Sequence, residues 1–353
     1  MKAWHSLVVG GALGAAVLGM VDTAAVAADK TYTIYLSNNF VGNDWRQQML
    51  RSADVAVKKP PLAGRVKLDV EVVETTVQAQ INSLNNIIRN KPDAIVIDAG
   101  SGTALNPTIE KACAAGIVVI SFDQVVTADC AYKLESNFDV MSKNQAEWLA
   151  AELGGKGKIF MDRGLAGAPI SERLVKGVED VFKQYPGIEV EGYFNGNYAL
   201  GPEQEGVASL LAAHPQVDAV FSQAYGTGAL KALQNAGHKP VPIAAAAFNG
   251  TAVECLQTAG AACILGANPP YLSAEAIKLA VAILDGQKPA DKHVLFNSPG
   301  LATDLPAGAK YAPDSTVVKM ELGKNVFPDL APGISLPISP DWVEITPKEA
   351  AGS

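Results

Sequence analysis

The sequence predicts an α/β protein made of two doubly wound parallel-sheet lobes. Three observations carry that prediction. Strand and helix signals alternate along most of the chain. Several of the strands are short and wholly apolar, the pattern of strands covered on both faces. The 353 residues exceed the ~250–300 at which a single core stops growing, so at least two lobes are expected.

The first series starts at 31–37, a β-rich run TYTIYLS. A helix follows at 43–59, with Asn43 as N-cap and Pro60-Pro61 as its stop. Residues 66–73 alternate as a strand. In 78–90, Ile81, Leu84, Ile87 and Ile88 recur at helical spacing. Next come a strand at 94–98, a helix at 109–116 closed by Gly116, and an apolar strand at 117–122. The second series reads as a helix at 140–153, a strand at 158–162, a helix at 171–184 and a strand at 188–194. It continues with a helix at 202–214, opened by Pro202, and strand-helix pairs at 217–222/228–237 and 241–248/252–260. A strand at 263–267, a long amphipathic helix at 272–286 and a last strand at 293–296 complete it. The remainder, 299–353, holds 8 of the 21 prolines and reads as irregular coil. Val317, Val318, Phe327, Trp342, Val343 and Ile345 within it suggest that it lies across a lobe.

The N-terminus carries Lys2, an apolar stretch over 7–21 and the small-residue pattern Ala25-Val26-Ala27, so a cleaved signal peptide is expected at 1–27. All four cysteines follow it. An even count in an exported chain points to disulfides, and the two local pairings, Cys113–Cys130 and Cys255–Cys263, are expected. Their spacing does not suit a zinc site, and His214, His238 and His293 stand apart in sequence, so no metal and no cofactor is expected. A net charge of −8 gives no basic footprint for nucleic acid.

Ligands of open parallel sheets bind beyond the C-terminal ends of the strands. The residues there include Asn38, Trp45, Arg46, Asp98, Asp123, Gln124, Ser136 and Asn137 in the first series. In the second they include Asp162, Arg173, Tyr198, Gln223, Tyr225, Asn249 and Asn268. Amides, carboxylates and guanidinium groups beside aromatics suit a polyhydroxylated ligand, which needs donors, acceptors and flat apolar partners together. No GxSxG elbow or HExxH is present, and the glycine-rich turn at 98–107 lacks both a third glycine and a P-loop lysine. Asp98 and Asp123 could form an acid/base pair, but no nucleophile accompanies them, so no enzyme is expected.

Taken together, NNFVGNDWRQQM (38–49), GIVVISFDQ (116–124), ISERLVKGVEDVF (170–182), AAHPQVDAVFSQ (212–223), AAFNG (246–250) and NPPYLSAEAIKLAVAILDGQ (268–287) resemble a known family. They are similar to the type I periplasmic sugar-binding proteins of ABC importers, specifically the ribose-binding-like group. The resemblance covers roughly 31–298. It implies a three-segment hinge, with crossings near 136–139, 267–270 and 296–299. Lobe one would be 28–137 plus 270–296, and lobe two 138–269 plus part of 297–320, leaving 321–353 as a Pro-rich extension. It also implies ligand contacts from Asn38, Trp45, Arg46, Asp123, Arg173, Asn249 and Asn268, with Gln124, Asn137, Tyr198 and Gln223 added from the strand ends. Gln124 stands where the ribose pattern has Arg, Ala224 where it has Asn, and Asn249 where it has Asp, which points away from ribose itself. The implied role is a monomeric periplasmic protein that captures a sugar or polyol for an inner-membrane ABC permease. A ligand sensor for a chemoreceptor, or a binder of a furanosyl signal, would present the same lobes. A secreted α/β hydrolase is the remaining reading, and turnover of a glycoside would distinguish it.

Overall fold

The computed structural model describes residues 30–73, 76–166, 168–313 and 315–352. The expected signal peptide, 1–27, lies outside them. The chain opens with β1 (Tyr32–Asn38), α1 (Asp44–Val57), β2 (Val66–Val72), α2 (Val77–Arg89), β3 (Ala94–Asp98), α3 (Asn106–Ala114), β4 (Val118–Phe122) and β5 (Tyr132–Ser136). It continues through α4 (Phe138–Glu152), β6 (Lys156–Asp162), α5 (Pro169–Phe182), β7 (Gly187–Phe194), α6 (Leu200–Ala213) and β8 (Ala219–Phe221). Then come α7 (Thr227–Asn235), β9 (Ile243–Ala246), α8 (Asn249–Gln257), β10 (Cys263–Gly266), α9 (Leu272–Leu284) and β11 (His293–Phe296). The last elements are β12 (Gly300–Ala302), β13 (Val317–Lys319) and α10 (Pro347–Ala351).

These elements form two sheets. Sheet one has the order β11-β5-β4-β3-β1-β2 and is parallel throughout. Sheet two has the order β13-β12-β10-β9-β8-β6-β7, and only β12 runs antiparallel to its neighbour β10. The central strands are buried along their whole length, as in AIVID of β3, because helices cover both faces. The first sheet packs against α1 and α9 around Leu36, Met49, Phe122 and Ile277 on one face, and against α2 and α3 around Leu84, Ile97 and Ile109 on the other. The second holds Phe160, Val207 and Leu265 on one face and Trp148, Met161 and Phe221 on the other.

Two expectations are corrected. The strand β5 carries no strong signal in YKLES; it forms because β4 and β11 flank it and take up its backbone hydrogen bonds. The helix after it begins at Phe138, not at 140, because the Asn137 side chain accepts the Val140 N–H and caps it.

The tail is the larger correction. It is not irregular coil on one lobe. β12 and β13 extend the second sheet, and Phe248 and Ser335 form an antiparallel bridge, flanked by Asn249 N to Ile334 O and Leu336 N to Ala247 O, both 2.7 Å. Beyond that point the tail passes to the first lobe. Val343 joins the core of α1 and α9, and Trp342 donates to Glu275 of α9 at 2.8 Å. The Arg51 Nε of α1 donates to Ala350 O at 2.6 Å, and Lys59 pairs with Glu349. The final helix is held by a capping box between Thr346 and Glu349 and ends at Gly352 in the left-handed region. The chain thus passes between the sheets after β5, after β10, after β11 and once more in the tail.

Cys113 is bonded to Cys130 and Cys255 to Cys263, with sequence separations of 17 and 8. Closing loops of this length is worth about 2–3 kcal/mol each in the chain-entropy model. Replacing either pair by serines should lower the urea midpoint accordingly, and an unchanged midpoint would show that the bridge adds nothing.

Candidate functional site

Each sheet has a point where its strand order reverses, and a crevice opens outside the strand ends there. In sheet one it lies between β1 and β3, whose last residues, Asn38 and Asp98, are register partners. In sheet two it lies between β6 and β8, which end just before Arg163 and Ser222.

The first crevice is organised by Arg46. Asn43 caps α1 by accepting the Arg46 N–H at 2.9 Å, which starts the helix beside the strand ends. The guanidinium is 4% exposed. Its Nη1 donates to Asn38 Oδ1 at 2.6 Å and forms an ion pair with Asp98. Its Nη2 lies 4.0 Å from Asp123 Oδ2 and donates to the Gln124 Oε1 at 2.9 Å, while the Gln124 amide nitrogen donates to Ala99 O. One cation therefore serves two buried carboxylates. Burial and the neighbouring Asp123 hold the Asp98 carboxyl well above its usual range, against the pull of Arg46. Burial also raises Asp123, opposed by Arg46 and by a hydrogen bond from Asn268.

Asn268, between β10 and α9, joins this floor to the crossings. Its Nδ2 donates to Asp123 Oδ1 at 2.9 Å, and its Oδ1 accepts from Ser136 Oγ at 2.6 Å. Its backbone carbonyl accepts the Trp45 indole N–H at 2.7 Å. Asp123 has φ +56°, a left-handed conformation that L-residues adopt at a cost of about 1 kcal/mol or more. The surrounding bonds hold it there. The Trp45 ring lies under the Arg46 guanidinium at 5.5 Å.

On the other lobe, Asp162 ends β6 and accepts the N–H groups of Gly164 and Gly196 at 2.7 Å and of Gln223 at 3.1 Å. The Gln223 amide nitrogen donates to the carbonyls of Asp162 and Ser171, while its oxygen is buried and has no hydrogen-bond partner among the described residues. The Tyr198 hydroxyl pairs with Ser171 Oγ. Desolvation raises its pKa, as do the charges of Asp162 and, from the opposite lobe, Asp123.

Three of the sequence-predicted residues have other partners. Arg173 pairs with Glu135 and Asp139 at 3.2–3.3 Å, and Glu135 is also bonded by His293. Asn137 caps α4. Asn249 is 1% exposed; it donates to Phe327 O at 2.8 Å and accepts the Phe327 N–H at 2.9 Å, so its amide anchors the tail. Asp98, Ser136 and Asp162, named from the strand ends but not from the family resemblance, prove to be members of these networks. Each closes its strand at the C-terminal end, which is the signal that marks them.

The open space is a cavity of about 660 Å³ beside Tyr198, bounded by Asp44 of α1, by Tyr225 and Asn249 of the second lobe, and by Pro328–Gly333 of the tail. The tail wall has no counterpart in the sequence reading.

A family model described as a periplasmic binding protein domain matches residues 34–288. The chain belongs to that family. The xylitol-binding protein of Mycolicibacterium smegmatis is 27% identical over 237 residues, 65% of this chain and 65% of that protein's length. The ribose import binding protein of Bacillus subtilis is 22% identical over 262 residues, covering 73% of this chain and 84% of that one. Among solved structures, an ABC transporter solute-binding protein from Thermobispora bispora superposes with a TM-score of 0.63 at 26% identity, covering 75% of this chain and 84% of the other. A periplasmic solute-binding protein from Actinobacillus succinogenes with bound D-allose superposes at 0.66 and 21% identity, covering 78% and 98%. The matched range runs from β1 through α9 and so includes strands of both sheets.

Proposed function

We propose that this chain is the periplasmic binding component of an ABC importer. It captures a sugar or polyol between its lobes and passes it unchanged to an inner-membrane permease, after export by a cleaved signal peptide. The observation that carries this reading is the Arg46–Asp98–Asp123–Asn268 network. Charged and amide groups at a strand-end crevice, tied directly to a link between the lobes, can exchange internal hydrogen bonds for bonds to ligand hydroxyls. Because Asn268 bonds both Asp123 and Ser136, a ligand held on Asp123 alters the bonds of the hinge itself. A ligand that touches Asp123 and Tyr198 at once favours the closed arrangement by its differential affinity. The binding role of relatives named for xylitol and ribose supports the ligand class. The Asp98 and Asp123 carboxyls flank a guanidinium rather than a nucleophile, which favours binding over turnover.

Thermal shift and calorimetry with xylitol, D-ribose, D-allose and L-arabinose test the reading. At least one should raise the melting temperature and be recovered chemically intact. Asp123→Asn is the informative variant, because Asn tolerates the left-handed backbone at this position. It should weaken binding about 10- to 100-fold, the loss of a charge-assisted hydrogen bond. Equal affinity in the variant would remove Asp123 from the site.

A further inference from the structure

The cavity beside Tyr198 is larger than one sugar ring or pentitol needs; its volume of about 660 Å³ lies in the middle of the range of small-molecule sites, ~300–1,000 Å³. Its lining has a definite chemistry. The Tyr225 ring stacks on Phe248 at 4.3 Å between centroids and 22° between planes, which fixes it as a flat wall. The backbone behind it is also fixed. Gly226 has φ +73°, and a Cβ there would lie 2.7 Å from the Ala245 side chain. The buried Glu203 carboxylate accepts the N–H groups of Gly226 and Gly228 at 2.8 and 3.0 Å. Tyr198 and Leu200 remain 38% and 37% exposed, apolar surface facing open space.

Polar groups stand among these walls. Asp44 supplies a carboxylate from the first turn of α1. Lys231 lines the same space, and among the described residues no carboxylate lies within ion-pair distance of it. Glu254 contributes a carboxylate whose Oε2 is buried and, among the described residues, has no hydrogen-bond partner. Flat rings with carboxylates and an ammonium around them match a pyranose or furanose, which is apolar on its faces and carries hydroxyls at its edge.

The cavity adjoins the second-lobe crevice at Tyr198. Tyr198 lines it, and the Tyr198 hydroxyl bonds Ser171 at the second-lobe crevice. Its outer wall, from Pro328 to Gly333, needs no rearrangement: Gly250 N donates to Pro332 O at 3.0 Å, and Asn249 holds Phe327. We infer that this tail-walled cavity is a second saccharide subsite, holding a glycosyl ring attached to the unit bound in the cleft. The ligand is then a disaccharide or a glycosylated polyol. The inference rests on the sugar-binding reading above and extends it.

Calorimetry on the full chain with matched pairs tests it: D-xylose against xylobiose, D-glucose against cellobiose, D-galactose against melibiose, D-fructose against sucrose. One disaccharide should bind about tenfold or more tightly than either of its free component sugars. Lys231→Ala, at an exposed position, should remove much of that gain and leave the affinity for the free sugar unchanged. Tyr225→Ala should remove more, with its melting temperature measured to confirm folding. Free sugars that bind while every disaccharide binds equally or more weakly would overturn the subsite and leave the sugar-binding reading standing. A disaccharide affinity untouched by both substitutions would also overturn it. Failure of every sugar and polyol to bind would overturn both together.

Discussion

Arg46→Leu is expected to destabilise the protein by about 3–5 kcal/mol at pH 8, the cost of leaving buried charge without its partner. The side chain is 4% exposed and stands between Asp98, which is fully buried, and Asp123, which is 7% exposed. Without the guanidinium, both carboxyls face burial and each other, and both pKa values rise further. The sign of the pH dependence follows. Asp98 already titrates above its ordinary value in the folded protein. Between the two values the native state binds more protons than the unfolded one, so stability falls as pH rises through that window. The variant widens the window. Its deficit should therefore be largest at pH 8 and smaller at pH 5, because lower pH favours the protonated carboxyls. Urea denaturation of both proteins at the two pH values measures this. Arg46→Lys should fall between them, since an ammonium keeps the charge but cannot fork to Asn38 and Gln124 together. A deficit that is the same at both pH values would show that the carboxyls are not what Arg46 stabilises.

Gln48→Ala should cost about 2–6 kcal/mol, at a position with no contact to the Arg46 floor. Gln48 lies on α1, fully buried, and holds one residue of the tail from both sides. Its Nε2 donates to Ser335 O at 3.0 Å and its Oε1 accepts the Ser335 N–H at 2.8 Å. Alanine leaves a buried donor and a buried acceptor unpaired, each costing about 1–3 kcal/mol. Ser335 stands opposite Phe248, and its neighbours Ile334 and Leu336 make the backbone bonds of that bridge, so Gln48 holds the Ser335 backbone to the first lobe while the residues on either side hold the strand to the second. Amide exchange at Ser335 should accelerate in the variant more than at Leu336, whose N–H is held by Ala247 within the second lobe. A stability change under about 0.5 kcal/mol would mean that the pair contributes nothing across the lobes.

Much of the fold was legible because it is written locally. The apolar runs of β3 and β4 can only be covered strands, and Asn43 announces the start of α1 through its own side chain. The candidate site was legible in its residue types, because every parallel strand has an end at which polar residues must stand. What those residues bond to was not. Nothing local says that the tail occupies the Asn249 amide, or that Glu135 and Asp139 stand beside Arg173.

The sequence by itself determined the two α/β series, the disulfide candidates and the polar character of the strand ends. These follow from periodicity, turn chemistry and side-chain type, which act over a few residues. Tertiary structure alone decided the path of the tail, the pairing of Gln48 with Ser335 across 287 positions, and the cavity that the tail encloses. Three-residue strands such as β12 and β13 have no stability of their own; they exist only because a distant sheet edge offers hydrogen bonds, and no local pattern records that offer.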